Sequence, residues 1–171
     1  MIKKIALLLF VLSPFLSISQ NKTIENFFAM HQDDEKATHI TMEGWLLQMA
    51  AANLGESLEQ KAVQAIQKLR ILIFDQGNKV SKKDQDKLIS GLKKEQFESL
   101  LSLREGTTHM ELLVQEQAGA ITNLLLTILE EDNYVCLNAE GSMPIEEFRK
   151  LNIDIDGNTL QQIKKYTNNN P

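Results

Sequence analysis

The sequence predicts an α+β domain in which helices pack against a mixed, largely antiparallel sheet of four or five strands. Two apolar runs joined by an acidic turn predict a hairpin in the C-terminal half, and a third apolar run directly precedes them. The N-terminal half instead shows helical patterns with capping residues. A length of 171 residues with 43% hydrophobic residues suits one domain with one core.

The predicted hairpin consists of the runs 124–129 and 134–139, joined by the acidic turn 130–133. A four-residue loop places Leu129 opposite Tyr134, and the register of every other pair follows from that one. One face of the hairpin is wholly apolar and is predicted to be core. That face holds Leu124, Leu126, Ile128, Val135, Leu137 and Ala139.

The run 109–116 is predicted to be a third strand, joined to the hairpin by the loop 117–119. Gly119 suits the left-handed conformation that ends such a loop in a bulge. Because this loop has an odd number of residues, the apolar side of the third strand lies on the same sheet face as the wholly apolar side of the hairpin. The register then places Leu112 opposite Leu124.

The remaining elements are predicted from capping residues and apolar spacing. The run LRILIFD at 69–75 is apolar on both sides apart from Arg70, which is typical of a strand inside a sheet. The predicted elements are, in order, a helix over 23–30, a strand over 38–42, helices over 45–53 and 58–68, the strand 69–75, a helix capped by Ser81 that bends near Gly91, a second helical segment over 97–104, a helix over 144–151 and a short helix ending at Tyr166.

The N-terminus has the three parts of a secretory signal peptide. Lys3 and Lys4 form a positive region, residues 5–16 form a short apolar region, and residues 17–19 form a small-x-small cleavage site before Gln20. The apolar region is shorter than the roughly 20 residues that a membrane-spanning helix needs. We therefore expect cleavage before Gln20, a periplasmic or secreted protein, and no transmembrane segment after cleavage.

The mature chain is expected to be a single α+β domain over 20–166 with a frayed tail over 167–171. With 18 basic and 23 acidic residues and no basic stripe, the sequence does not fit a nucleic-acid-binding protein. Cys136 is the only cysteine, so no internal disulfide can form.

The order of these elements resembles a known family. Its pattern is carried by LRILIFD, FESLLSLREG, HMELLVQEQAG, ITNLLLTILEEDNYVCLNAEG and MPIEEFRKL, within about residues 24–151. The chain is similar in these segments to the domain-of-unknown-function family 4252, whose members are exported proteins of Gram-negative envelopes. The resemblance implies export and an envelope location, and it implies no activity. Many members carry a lipid-anchoring cysteine near the leader, whereas this chain has none there.

The sequence contains no recognisable catalytic signature: no G-x-S-x-G, H-E-x-x-H, phosphate-binding glycine loop or C-x-x-C. Cys136 could act as a nucleophile beside a histidine, but its place within a strand favours a small apolar filler. The segment HQDDEK at 31–36 could suggest a metal site, but consecutive acids favour a solvated loop. His39 and His109 show no ligand spacing. We expect no catalytic, metal or cofactor site.

The segment NIDIDGNTLQQI at 152–163 matches the first half of a calcium-binding loop. Asn152, Asp154 and Asp156 fill ligand positions, and Gly157 fills the turn position. Ile163 stands where a bidentate glutamate is required, so half of the site is missing. Turn and cap chemistry explains these residues, and no calcium site is predicted.

The second face of the hairpin sheet is mixed, and from the sequence it has two open interpretations. Either a helix covers it, or a partner binds there, because exposed apolar patches are uncommon in monomers. Tyr134 is the most informative candidate, since it lies at the hairpin end and tyrosine is enriched at interfaces. The possible binding face consists of Leu113, Leu125, Leu129, Tyr134, Cys136 and Asn138.

Three functions are compatible with the sequence. We favour a non-enzymatic binding or interaction module of the envelope, whose partner is another envelope protein or a different ligand. The first alternative is a hydrolase whose site assembles from scattered residues. The second alternative is a structural or stress-related envelope component.

Overall fold

A computed structural model describes residues 21–52 and 58–150, which form an α+β domain around one sheet. The six strands are antiparallel and lie in the order β1-β2-β6-β5-β4-β3. The elements are α1 (Lys22–His31), β1 (Ala37–Glu43), α2 (Gly44–Ala51), α3 (Leu58–Ala65), β2 (Ile66–Phe74), α4 (Lys82–Lys94), β3 (Phe97–Glu105), β4 (Thr108–Gln117), β5 (Ala120–Leu129), β6 (Tyr134–Pro144) and α5 (Ile145–Phe148).

The predicted α+β class is confirmed, but the sheet has six strands, not four or five, and is wholly antiparallel. The additional strand is β3, in the segment 97–104 for which the sequence predicts a helix. Gln96 has a left-handed φ of 66°, which turns the chain out of α4 and into β3. β3 then pairs along β4, because tertiary pairing overrides the local propensity of the segment.

The predicted register of β5 and β6 is confirmed from Leu129 opposite Tyr134 to Leu124 opposite Ala139. The predicted register of β4 and β5 is wrong by two residues, because Leu112 lies opposite Leu126. The turn between these strands has only two residues, Ala118 and Gly119, both with positive φ. A bulge between the pairs of Gln115 and Glu116 adds one more residue to β5. The apolar side of β4 therefore still lies on the same sheet face as the apolar side of the hairpin, as predicted.

The main core lies on the opposite sheet face from the predicted one. We call the face under α1 and α4 the inner face and the other one the outer face. Of the predicted core residues Leu126, Ile128, Val135 and Leu137, only Ile128 is buried, and the other three are half-buried on the outer face. The inner core consists of Ile24, Phe27, Leu72, Phe74, Val80, Leu88, Leu92, Phe97, Leu113, Leu125, Leu129, Tyr134 and Cys136.

The predicted bend in α4 is absent, and the helix continues through Gly91. A Cβ at Gly91 would lie 2.7 Å from the Thr23 side chain, so the glycine allows α1 and α4 to approach closely. The Thr23 hydroxyl and backbone N–H both donate to Glu95 Oε1, at 2.7 and 3.1 Å. The predicted cap at Ser81 is confirmed as a capping box with Asp84.

Two other predicted helix boundaries are corrected. The helix after Leu58 ends at Ala65, not at Lys68, and β2 begins at the next residue without a loop. Pro144 is the last residue of β6 and caps α5, so it is not the first helical residue. β2 lies between β1 and β6, which confirms the internal strand predicted from LRILIFD.

No helix in residues 21–52 and 58–150 is long and apolar enough to cross a membrane. The predicted signal peptide, the segment 152–163 and the last predicted helix lie outside the described residues. These three predictions therefore stay predictions.

Candidate functional site

The outer face of the sheet contains an apolar groove between α3 and α5, which we call the outer groove. Its volume is about 300 Å³, and almost all of the exposed surface that lines it belongs to apolar atoms. Side chains from three strands and both helices contribute to it. The principal lining residues are Ala62, Ala65, Leu69, Leu124, Leu137, Ala139, Met143 and Phe148.

The floor of the outer groove consists of half-buried leucines on adjacent strands. Leu69 on β2 pairs with Ala139 on β6, which pairs in turn with Leu124 on β5. Leu137 lies two residues before Ala139 on β6 and therefore points to the same face. These leucines remain half-buried because the described α3 residues that line the groove, Ala62 and Ala65, have small side chains.

The position of α3 is fixed by a close approach between its C-terminal end and two glycines. A Cβ at Gly141 would overlap the carbonyl oxygen of Ala65. A Cβ at Gly44 would lie 2.8 Å from the carbonyl oxygen of Ile66. Any other residue at either position would push the junction of α3 and β2 outward and change the width of the groove.

Among the described residues, the only charged one that lines the outer groove is Glu140, and it is paired on the inner face. Its Oε1 accepts from Arg70 Nη2 at 2.6 Å, and the same Nη2 donates to Asn138 Oδ1 at 2.9 Å. Arg70 Nη1 lies 2.8 Å from Glu25 Oε1 on α1. The guanidinium also lies 4.9 Å from the ring centre of Phe28. The described part of the chain therefore gives the groove apolar walls and directs no charge into it.

This geometry suits an apolar ligand. Pockets for small molecules commonly have volumes of about 300–1,000 Å³ and mostly apolar walls, so the outer groove matches the lower end of that range. An aliphatic chain placed there would cover leucine side chains that now contact water. Each buried methylene would contribute about 0.8 kcal/mol to binding.

The six residues of the possible binding face lie on the inner face of the sheet. Leu113, Leu125, Leu129, Tyr134, Cys136 and Asn138 are 0–6% exposed beneath α1 and α4. The helix-covered interpretation therefore applies to this face. Tyr134 packs against Phe27 of α1, with ring centres 5.9 Å apart, so it cannot contact a partner.

Burial also determines the chemistry of two ionisable groups in this core. It raises the pKa of the Cys136 thiol to about 12, so the thiol stays protonated at neutral pH. Burial likewise raises the pKa of the Tyr134 phenol well above its ordinary value. Cys136 therefore behaves as the small apolar filler that its sequence position indicates.

The structure does not bring the HQDDEK segment together as a metal site. His31 is buried between the rings of Phe27 and Phe74, at 5.0 and 5.6 Å, and desolvation lowers its pKa. Asp34 forms an ion pair with Lys79 at 2.9 Å. Within the described ranges, no group of three or more His, Cys, Asp or Glu side chains could hold a metal ion.

Sequence reasoning missed the outer groove, although it identified several of the strand residues that form its floor. The two-sided apolar pattern of β5 and β6 is the signal that indicates a second apolar surface. The position of the groove depends on Ala62 and Ala65, whose small size has no distinctive pattern in a helix. Gly141 gives another signal, because it lies two residues beyond the predicted strand 134–139 and a glycine in or beside a strand often marks a close approach of backbone.

Comparisons with known proteins identify a family. The family model for a domain of unknown function, DUF4252, matches residues 28–151, which confirms the resemblance stated above. No curated protein and no solved structure matches the chain. The matched segment spans the sheet from β1 to β6, five of whose strands contribute to the inner core or the outer groove. The chain therefore belongs to the DUF4252 family of domains of unknown function.

Proposed function

We propose that this chain is an exported envelope protein that binds an aliphatic chain in the outer groove without catalysing a reaction. The observation that carries the proposal is the groove itself, with its leucine floor and alanine wall, into which none of the described residues directs a charged side chain. The leader-like N-terminus and the resemblance to exported proteins support the location. An acyl chain of an envelope lipid or lipoprotein has the required chemistry.

Binding is tested with a fluorescent dansyl-labelled fatty acid and protein expressed from the full sequence. We expect saturable binding, with competition by unlabelled fatty acids that strengthens about fourfold for each added methylene. The increase should stop once the chain is longer than the groove. Adsorption to a general apolar surface would instead continue to strengthen with chain length, and that result would contradict a bounded groove.

The substitution Ala62→Phe is expected to weaken this binding by at least about tenfold, because the new ring occupies the space beneath α3. Ala29→Phe is the matched control, since it makes the same change at an exposed alanine on α1, away from the groove. Both variants should unfold at similar temperatures. Equal binding by Ala62→Phe and the parent protein would locate the ligand elsewhere.

Export and cleavage before Gln20 are expected from the tripartite leader. The intact mass of the protein recovered from the envelope fraction tests both at once. We expect a mass that corresponds to a chain beginning at Gln20. A chain that begins at Met1 would contradict cleavage, and recovery only from the cytoplasm would contradict export.

A further inference from the structure

The edge strand β1 and the helix α2 that directly follows it carry four exposed large apolar side chains, and we call this part of the molecule the edge surface. Among the described residues, no strand pairs with the outer edge of β1. α2 begins directly after β1, so its first exposed side chain, Trp45, lies two residues beyond the end of this edge strand. The exposed large apolar side chains here are Ile40 at 38%, Trp45 at 64%, Leu46 at 43% and Met49 at 62%.

α2 has the composition of a buried helix, but only one of its sides is buried. The sequence GWLLQMAA contains no charged residue and one polar side chain, Gln48. Leu47 and Ala51 face the interior, whereas the larger Trp45 and Met49 face outward. A helix that is hydrophobic all round is normally covered on all sides. Tryptophan and methionine are also enriched at protein interfaces.

The two edges of the sheet differ in how they are protected from pairing. β3 carries Glu98, Arg104 and Glu105 and contains a bulge, which are common ways to prevent edge-to-edge association. β1 contains no lysine, arginine, aspartate or glutamate from Ala37 to Met42, and its pairing with β2 is regular. Only the edge at β1 is therefore suited to accept another strand.

We propose that a second copy of this chain occupies the edge surface, with the two β1 strands antiparallel about a twofold axis at Ile40. In that register Ile40 meets Ile40 of the second copy. Thr38 meets Met42, and His39 meets Thr41, so opposed residues lie on matching faces. The proposal does not depend on a ligand in the outer groove.

The pattern of charges and apolar residues favours a second copy over an unrelated strand. The two Glu43 carboxylates would face Ala37 at opposite ends of the pair, roughly 20 Å apart, so no like charges are opposed. An apolar row crosses all six strands of the outer face and ends on Ile40 at the edge. In strand order from β3 to β1, the row consists of Leu101, Leu112, Leu126, Leu137, Ile71 and Ile40. Twofold pairing at Ile40 continues this row into the same row of the second copy.

The area needed for a stable dimer explains the role of α2. Stable interfaces bury roughly 1,200–2,000 Å² in total, which is more than one pair of seven-residue strands supplies. The exposed tryptophan, leucine and methionine of α2 are available to supply the additional apolar area from each copy. We therefore expect Trp45 to be an anchor of the dimer.

The test combines light scattering with the fluorescence of Trp45, the only tryptophan in the chain. Protein expressed from the full sequence should have twice the mass of one chain at micromolar concentrations. Dilution should produce monomers and shift the Trp45 emission to longer wavelengths as the indole becomes exposed. Ile40→Lys places two ammonium groups against each other on the axis and should raise the dimer Kd by at least about tenfold.

Leu100→Lys is the matched control, because Leu100 is 49% exposed on the opposite edge strand, and it should leave the Kd unchanged. Met49→Lys provides a second disrupting variant on α2 in case Ile40→Lys fails to fold. A monomer at all concentrations would overturn the proposal, as would a dimer that both disrupting variants leave intact. Binding of a monomer to phosphatidylethanolamine–phosphatidylglycerol vesicles, with a blue shift of Trp45, would assign the edge surface to a membrane instead.

Discussion

Leu125→Ala is expected to lower the free energy of unfolding by about 2–5 kcal/mol, as truncation of a fully buried leucine does. Leu125 is 0% exposed and lies on the inner face beneath the helices. The substitution removes its contacts in the inner core and leaves a cavity that the rigid central strands cannot close. Urea unfolding monitored by circular dichroism measures the change.

Leu126→Ala is the matched control for this experiment, since it makes the same change at the next residue on the opposite face. Leu126 is half-buried, so we expect a loss of only about 1–2 kcal/mol. If Leu126→Ala costs as much as Leu125→Ala or more, then the outer face is the main core. That result would restore the core assignment predicted from the sequence.

The choice between the two faces shows a limit of sequence patterns. β5 has leucines on both faces, and its mixed face is more deeply buried than its wholly apolar one, so alternation does not mark the buried side. The sequence predicts which residues share a face, and the structure confirms that for the hairpin. Which face becomes core depends on where α1 and α4 pack, and this is set by contacts distant in sequence, such as that between Thr23 and Glu95.

The strand β3 was missed for a related reason. Its sequence FESLLSLRE places leucines at spacings that suit a helix as well as a strand. The exposed edge of β4 provides the partner that decides between them, and no local signal contains that information. The left-handed conformation of Gln96 is equally invisible in sequence, because glutamine has no preference for positive φ.

The outer groove could be predicted only in part. The leucine floor follows from the hairpin register, which the sequence predicts correctly. The width of the groove cannot be predicted from that register, because it depends on the close contact between Gly141 and the end of α3. Local patterns predict elements and pairings better than they predict how closely two elements approach each other.

Arg70 is expected to be the most important polar side chain for stability, because it joins α1 to two strands of the sheet. Its guanidinium contacts Glu25 on α1 and both Glu140 and Asn138 on β6. Asn138 continues the network by donating to Asn123 Oδ1 on β5 at 3.0 Å. The Arg70 side chain is only 8% exposed, so water cannot replace these contacts.

Arg70→Met retains the length and apolar part of the side chain but removes its charge and all of its donors. We expect a loss of about 1.5–3 kcal/mol in the free energy of unfolding, because the hydrogen bonds of a buried charged group are lost while Glu25 and Glu140 remain 50% and 33% exposed. Arg70→Lys should cost less but still destabilise, since an ammonium group cannot match the fork geometry of the guanidinium. Urea unfolding again measures each loss.

Glu25→Gln is the control for Arg70→Met, because the Glu25 side chain is 50% exposed and its ion pair is partly solvated. That substitution should cost no more than about 1 kcal/mol. A double-mutant cycle of Arg70→Met and Glu140→Gln measures the interaction energy between these two side chains. It separates that energy from the cost of leaving the Glu140 carboxylate without its partner. A loss below about 1 kcal/mol for Arg70→Met would show that apolar packing replaces the network, as happens at some buried ion pairs. The attachment of α1 to the sheet would then rest on the contacts of Ile24 and Phe27 in the inner core.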